Sequence, residues 1–236
     1  MQPDHCVMHR HAFLLVGLLA LPPLPAAPAA AKDKPHLSVT IDAASLGAPP
    51  DEAAGPADLA AVLSAQESRN PARQESAVQD ARQTLTRFLE GMGATVDKDE
   101  LKKARRVFKD AMEALEAALA PVKERFDRPR PFRASDEVRP CPVRLPRSSS
   151  FPSTHAATGT LFAALLAHVA PERRALLEER GLDYGWSRVV CGFHYPSDVE
   201  AGRAGGRLVA AALLKDLVFV ARLDATAPRL RKALGL

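Results

Sequence analysis

The apolar residues of this chain recur at helical spacing and nowhere alternate. Ala77, Ala81, Leu85 and Leu89 fall four apart, and the text stops at Gly91 and Gly93. Phe108, Met112, Leu115 and Leu119 repeat the stripe over 97–123, with Pro121 expected to end it. Leu161, Leu165 and Val169 line a third face, the segment from Pro171 to Phe193 is a fourth candidate, and a last long helix is expected from Pro196 to Leu223. Asp58 is placed to cap a first short helix. With no period-2 run to build a sheet, the expected fold class is all-α: a compact single-domain helical bundle with long loops at its site.

Those loops are where the sequence becomes unusual. Between the second stripe and the third lies a polar stretch, 121–153, dense in Pro and Arg. A connection of that length inside a compact domain tends to carry function. Glycines at 202, 205 and 206 weaken the last helix by propensity and allow another helix close to it.

The first 31 residues have a different logic. A short basic segment from Met8, an apolar run from Ala12 to Ala20 and small residues ending in an A-x-A site at Ala29–Ala31 have the layout of a secretory signal. The run is too short to span a bilayer and is broken by Pro22, Pro23 and Pro25. The expected organisation is a signal peptide over 1–31, an extended arm over 32–57 and a helical domain over 58–236, with a bacterial periplasmic or secreted location and no stable membrane insertion. Export leaves Cys141 and Cys191 as an even pair in an oxidising compartment, so a disulfide between them is expected. A formal charge of +4 without a clustered patch, and two Tyr and one Trp for stacking, argue against nucleic acid as a partner.

Three segments concentrate chemistry. "KERFDRPRP" supplies Lys123 and Arg130, "FPSTHA" supplies Ser153, Thr154 and His155, and "SRVVCGFHYPSD" supplies Arg188, His194 and Asp198. Singly, each is ordinary: a solvated loop, a helix cap, a local helix pair. Together, three cations and a helix start suit the spread charge of a phosphoryl group. Two histidines permit one to attack as neutral imidazole and the other to donate a proton to the leaving oxygen. Asp198, four after His194, can orient that ring through Nδ1. Two alternatives stay open at this level. His155, His194, Asp198 and Cys191 can be counted as zinc ligands, although converging cations oppose a metal. Ser153, a histidine and Asp198 can be read as a hydrolase triad, although no G-x-S-x-G elbow is present and the cations go unexplained.

The order K-x6-R-P, P-S-x-H, S-R-x5-H-x3-D resembles the signature of the type 2 phosphatidic acid phosphatase superfamily. That superfamily includes the bacterial class A non-specific acid phosphatases and the vanadium haloperoxidases. "RPRPF", "SFPSTHAATG", "PERR" and "RGLDYGWSRVVCGFHYPSDVEAGR" resemble the class A acid phosphatases in particular, and the resemblance covers about residues 58–216. It implies a helical bundle that hydrolyses phosphate monoesters through a phosphohistidine on His194. His155 would be general acid and then base, Asp198 would orient His194, and Lys123, Arg130, Ser153, Thr154 and Arg188 would hold the phosphate. No metal or cofactor is implied, and vanadate is expected to bind as a phosphate mimic. Small phosphomonoesters are the expected partners, with a homodimer as the working expectation for assembly. A vanadium-dependent haloperoxidase, or a soluble lipid-phosphate or pyrophosphate phosphatase using the same residues, is the alternative. Thr154 departs from the class A pattern, which has Gly there. If only its backbone N–H is used, Thr154 should have ordinary helical dihedrals.

Overall fold

The computed structural model describes residues 37–51 and 55–236, together with Met1. The expected signal peptide and the first part of the expected arm lie outside the described residues. Residues 37–51 run along the domain: Leu37, Val39 and Ile41 pack against its core, and a 3-10 turn, Ala43–Leu46, buries Leu46 beside the last long helix.

The described residues contain helices and no strand. In chain order they are α1 (Gly55–Glu67), α2 (Pro71–Gln79), α3 (Leu85–Glu90), α4 (Lys102–Phe126), α5 (Pro131–Ala134), α6 (Thr154–Val169), α7 (Arg174–Val190), α8 (Pro196–Leu213), α9 (Leu217–Asp224) and α10 (Ala227–Ala233). No helix among the described residues is long and apolar enough to cross a membrane.

Helix α6 is the axis of the bundle. It is apolar on nearly every side, and α7 and α8 pack along it with α4 behind. Phe162 of α6 meets Phe108 and Phe88 edge to face at 5.2 and 5.9 Å, which ties α3 and α4 to the same core. The α8 glycines allow the contact on the other side. A Cβ at Gly202 would stand 2.2 Å from the Ser153 carbonyl oxygen, and one at Gly206 would stand 2.4 Å from that of Ala157. Backbone therefore meets backbone, and the start of α8 is held against the start of α6.

Four expectations from periodicity need correction. The stripe from Ala77 to Leu89 is two helices. The chain leaves α2 at Asp80, whose buried carboxylate binds Arg87, Arg180 and Ser187, and restarts at Thr84, whose Oγ1 accepts from the Arg87 N–H at 3.1 Å. Those long-range pairs outweigh the local pattern. Pro121 does not end α4. Its ring lies on the exposed side, where the unpaired carbonyl of Ala117 can be hydrated, so the helix continues to Phe126 and places Lys123 in its last turn rather than in a loop. The last helix stops at Leu213, and Asp216 starts α9 by accepting from the Val218 and Phe219 N–H groups at 2.9 and 3.0 Å. Asp58 does not cap α1, which begins at Gly55. Its carboxylate is turned inward onto other partners.

Candidate active site

The three chemical segments meet where α4 ends and where α6 and α8 begin. Asp127, the only non-glycine with positive φ among the described residues, turns the chain sharply after α4. The loop behind it carries Arg130 inward. Cys141 is bonded to Cys191 across 50 residues, and the Cys141 N–H donates to the Cys191 carbonyl at 3.2 Å. That bond fixes the Pro- and Arg-rich loop to the turn between α7 and α8. Cys191, counted above as a metal-ligand candidate, is therefore not a free thiolate.

A cavity of about 610 Å³ opens at this junction. Lys123, Arg130, Thr154, His155, Arg188 and His194 line it. These six come from all three segments. Its outer wall is made by Arg82, Glu116, Val143, Arg144, Pro146 and Ser148. Ser153 is not in the lining. It is fully buried at the N-cap of α6, with Oγ accepting from the Ala156 N–H at 3.3 Å and its own N–H donated to the Asp198 carbonyl at 2.9 Å. Thr154 is the first residue of α6 and has no positive φ, so Thr replaces Gly there without backbone strain. The N–H groups of Thr154 and His155, in the first turn, have no acceptor within the helix.

His194 is 4 % exposed and Asp198 is fully buried. His194 Nδ1 lies 3.4 Å from Asp198 Oδ2. On the other side of the ring, Arg130 Nη1 stands 2.9 Å from Nε2. Guanidinium can only donate, so Nε2 carries the lone pair and Nδ1 carries the proton. That tautomer leaves Nε2 as the nucleophilic atom. Burial holds the His194 ring well below the ordinary imidazole range, and the hydrogen bond to Asp198 opposes this without reversing it. Burial pushes the Asp198 carboxyl up, but the contacts with His194, Arg128 and Ser150 bring it below its ordinary range, so it is ionised. The result is a neutral imidazole beside a carboxylate.

His155 is equally buried in a different setting. Its ring stacks on Tyr184, with centroids 4.7 Å apart and planes 21° apart. Burial, then the charge of Arg188, drives its pKa well down, and a hydrogen bond to the Asp80 backbone pulls the other way. His155 Nε2 and Arg188 Nη1 are both buried with no hydrogen-bond partner in the protein. Such groups are costly when unpaired, and here both line one cavity.

The cations press on one another. Burial, then Arg130, brings Lys123 down to about 8. Burial, then Arg188, brings Arg130 down to about 10. Burial alone lowers Arg188 to about 10, against Tyr184 and Asp80. An anion among them relieves that repulsion, so the cage suits a phosphate-sized dianion.

Three contributors were not singled out from sequence. Ser150 Oγ donates to Asp198 Oδ2 at 2.5 Å, Arg128 Nη1 donates to Asp198 Oδ1 at 2.6 Å, and Tyr184 supplies the shelf under His155. All three fall inside stretches quoted above, Arg128 in "RPRPF", Ser150 at the head of "SFPSTHAATG" and Tyr184 in "RGLDYGW", but no local spacing gives any of them a role.

Residues 111–220 match the family described as the PAP2 superfamily. The non-specific acid phosphatase of Salmonella typhimurium is 41 % identical over 104 residues, covering 41 % of this chain and 40 % of that protein. The non-specific acid phosphatase of Providencia stuartii is 33 % identical over 144 residues, covering 57 % and 58 %. The chain thus spans about half the length of the curated relatives it matches. Among solved structures, the transmembrane PAP2-type phosphatidylglycerolphosphate phosphatase from Bacillus subtilis superposes with a TM-score of 0.53 at 19 % identity, covering 74 % of this chain and 91 % of that one. At that identity the likeness is one of fold.

Proposed function

Because this chain belongs to the PAP2 superfamily, we propose that it is an exported acid phosphatase that hydrolyses phosphate monoesters through a phosphohistidine, without a metal. The observation that carries this reading is the pair of buried polar atoms without a protein partner, the lone-pair nitrogen His155 Nε2 and the donor Arg188 Nη1, in the same cavity as the neutral ring of His194.

In the proposed reaction Arg130 turns from His194 Nε2 to a phosphate oxygen. Arg188, Lys123 and the first-turn N–H groups of α6 hold the others. Nε2 attacks phosphorus, the P–O bond to the leaving group breaks, and the leaving oxygen takes a proton from His155 Nε2. The N–P bond then yields to a water whose proton returns to His155. His155 must enter this cycle protonated, yet burial and Arg188 hold it neutral in the free protein. The substrate resolves the conflict: its dianionic charge beside His155 raises that pKa, so substrate and proton enter together. A preference for mildly acidic pH follows. Vanadate should compete as a phosphate mimic. The signal-like segment and the disulfide support export to the periplasm or beyond.

The test is turnover of p-nitrophenyl phosphate by the purified chain in excess EDTA, with acid quench to trap a ³²P-labelled adduct. Turnover and a trapped adduct in the native chain, both lost in His194→Ala, are the expected results. No turnover by the native chain, or undiminished turnover in that variant, would refute the reading.

A further inference from the structure

The carboxylate that orients His194 is itself held from α1, far from any of the three chemical segments. Arg128 spreads its guanidinium between two acids 70 residues away on either side. Nη1 donates to Asp198 Oδ1 at 2.6 Å and to Ser197 Oγ at 2.8 Å, and Nη2 donates to Asp58 Oδ2 at 2.8 Å. Asp58 also accepts from the Ser197 N–H at 3.1 Å and from the Ser197 hydroxyl. The fork lies over the Tyr195 ring with its carbon 3.9 Å from the centroid, and it is nearly buried. Asp198 thereby spends one oxygen on Arg128 and keeps the other, Oδ2, for His194, Ser150 and the Tyr195 N–H.

The geometry points to Asp58 and Arg128 as positioning residues that set the basicity of His194 through Asp198. Arg128 alone would neutralise Asp198 and weaken its support for positive charge on the imidazole. Asp58 offsets that, so the three-member chain carries a net −1 toward the ring. The other charged groups around His194 are Lys123 from α4, Arg130 from the loop and His155 from α6. All of these are cationic or neutral, which leaves Asp198, backed by Asp58, as the source of negative charge. This inference rests on the reading of His194 as the reactive ring.

The experiment titrates His194 by ¹⁵N NMR in the full chain, beside steady-state kinetics, for Asp58→Asn, Asp58→Glu, Arg128→Lys and Ser197→Ala. In Asp58→Asn the pKa of His194 should fall by about 0.5–1 pH unit, with kcat roughly tenfold lower and KM unchanged or reduced. Asp58→Glu should restore most of kcat. Arg128→Lys, which keeps the charge but loses the fork, should lose more kcat than Asp58→Asn. Ser197→Ala removes a hydrogen bond to the same carboxylate without removing charge, and should leave kcat within about twofold. A His194 pKa unmoved in Asp58→Asn, or equal losses in Asp58→Asn and Ser197→Ala, would overturn the inference. The titration needs no turnover, so it fails or succeeds independently of the phosphatase reading.

Discussion

His194 and His155 are buried to the same degree and face the same cavity, yet their surroundings share almost nothing. His194 sits at the end of an ionic chain, Asp58–Arg128–Asp198, with hydroxyls closing the gaps. His155 lies on an aromatic shelf with a backbone group behind it and an arginine in front. Burial, helped by the nearby cations, makes both rings neutral. What separates them is where charge can be accepted: a carboxylate supports the first when it gains positive character, whereas only an incoming anion can do so for the second. Two copies of one side chain can therefore take the nucleophilic and the acidic role without any difference in exposure.

The sharpest way to break this contrast is to delete each ring. His194→Ala should lower kcat/KM by about 10⁴-fold or more with every substrate, because no other group stands in its place. His155→Ala should cost about 10²–10⁴-fold with alkyl phosphates but much less with p-nitrophenyl phosphate, whose leaving group needs no proton. In that variant the ³²P adduct should accumulate. Equal dependence on the leaving group in both variants would abolish the distinction.

Further tests act on the frame. Cys141→Ser with Cys191→Ser removes the tie between the Arg-rich loop and the α7–α8 turn, and should cost about 2–5 kcal/mol in urea unfolding. Gly202→Ala forces a methyl against the Ser153 carbonyl and should cost about 1–3 kcal/mol. It should also lower kcat, since both helix starts would part. The last effect is that of pH on stability. Both rings are neutral in the folded chain and would protonate in the unfolded one, so their contribution is complete above the ordinary imidazole value of about 6.5 and is lost as pH falls. Asp198, held below its ordinary range, loses its contribution only at still lower pH. The urea midpoint should drop between pH 7 and pH 5 at constant slope, and His155→Ala should flatten that drop.

Much of the cage was legible in the sequence because its members sit in short segments with fixed internal spacing. Lys123, Arg130, Thr154, His155, Arg188 and His194 all line the cavity. The helices were legible where one apolar stripe faced one core. Legibility failed where a distant partner decided the matter. Asp80 breaks the α2–α3 stripe because Arg180, 100 residues on, needs it. Pro121 is harmless because of the side of α4 on which it falls. Asp58 looked like a cap because nothing local shows that Arg128 will reach it. Ser153 illustrates the reverse: a correct segment, with its hydroxyl turned to its own helix.

The glycine contact between α6 and α8 bears on how such a cavity can vary. Where carbonyl oxygen meets Cα there is no side chain to rotate, shorten or swap, so the gap between the start of α6 and the start of α8 is a hard stop. The opposite wall, from Val143 to Ser148, is loop held at one end by a sulfur bridge. That loop can change its side chains or its length without touching the glycine contact, so the mouth of the cavity can widen or narrow while the spacing of the α6 and α8 starts stays fixed.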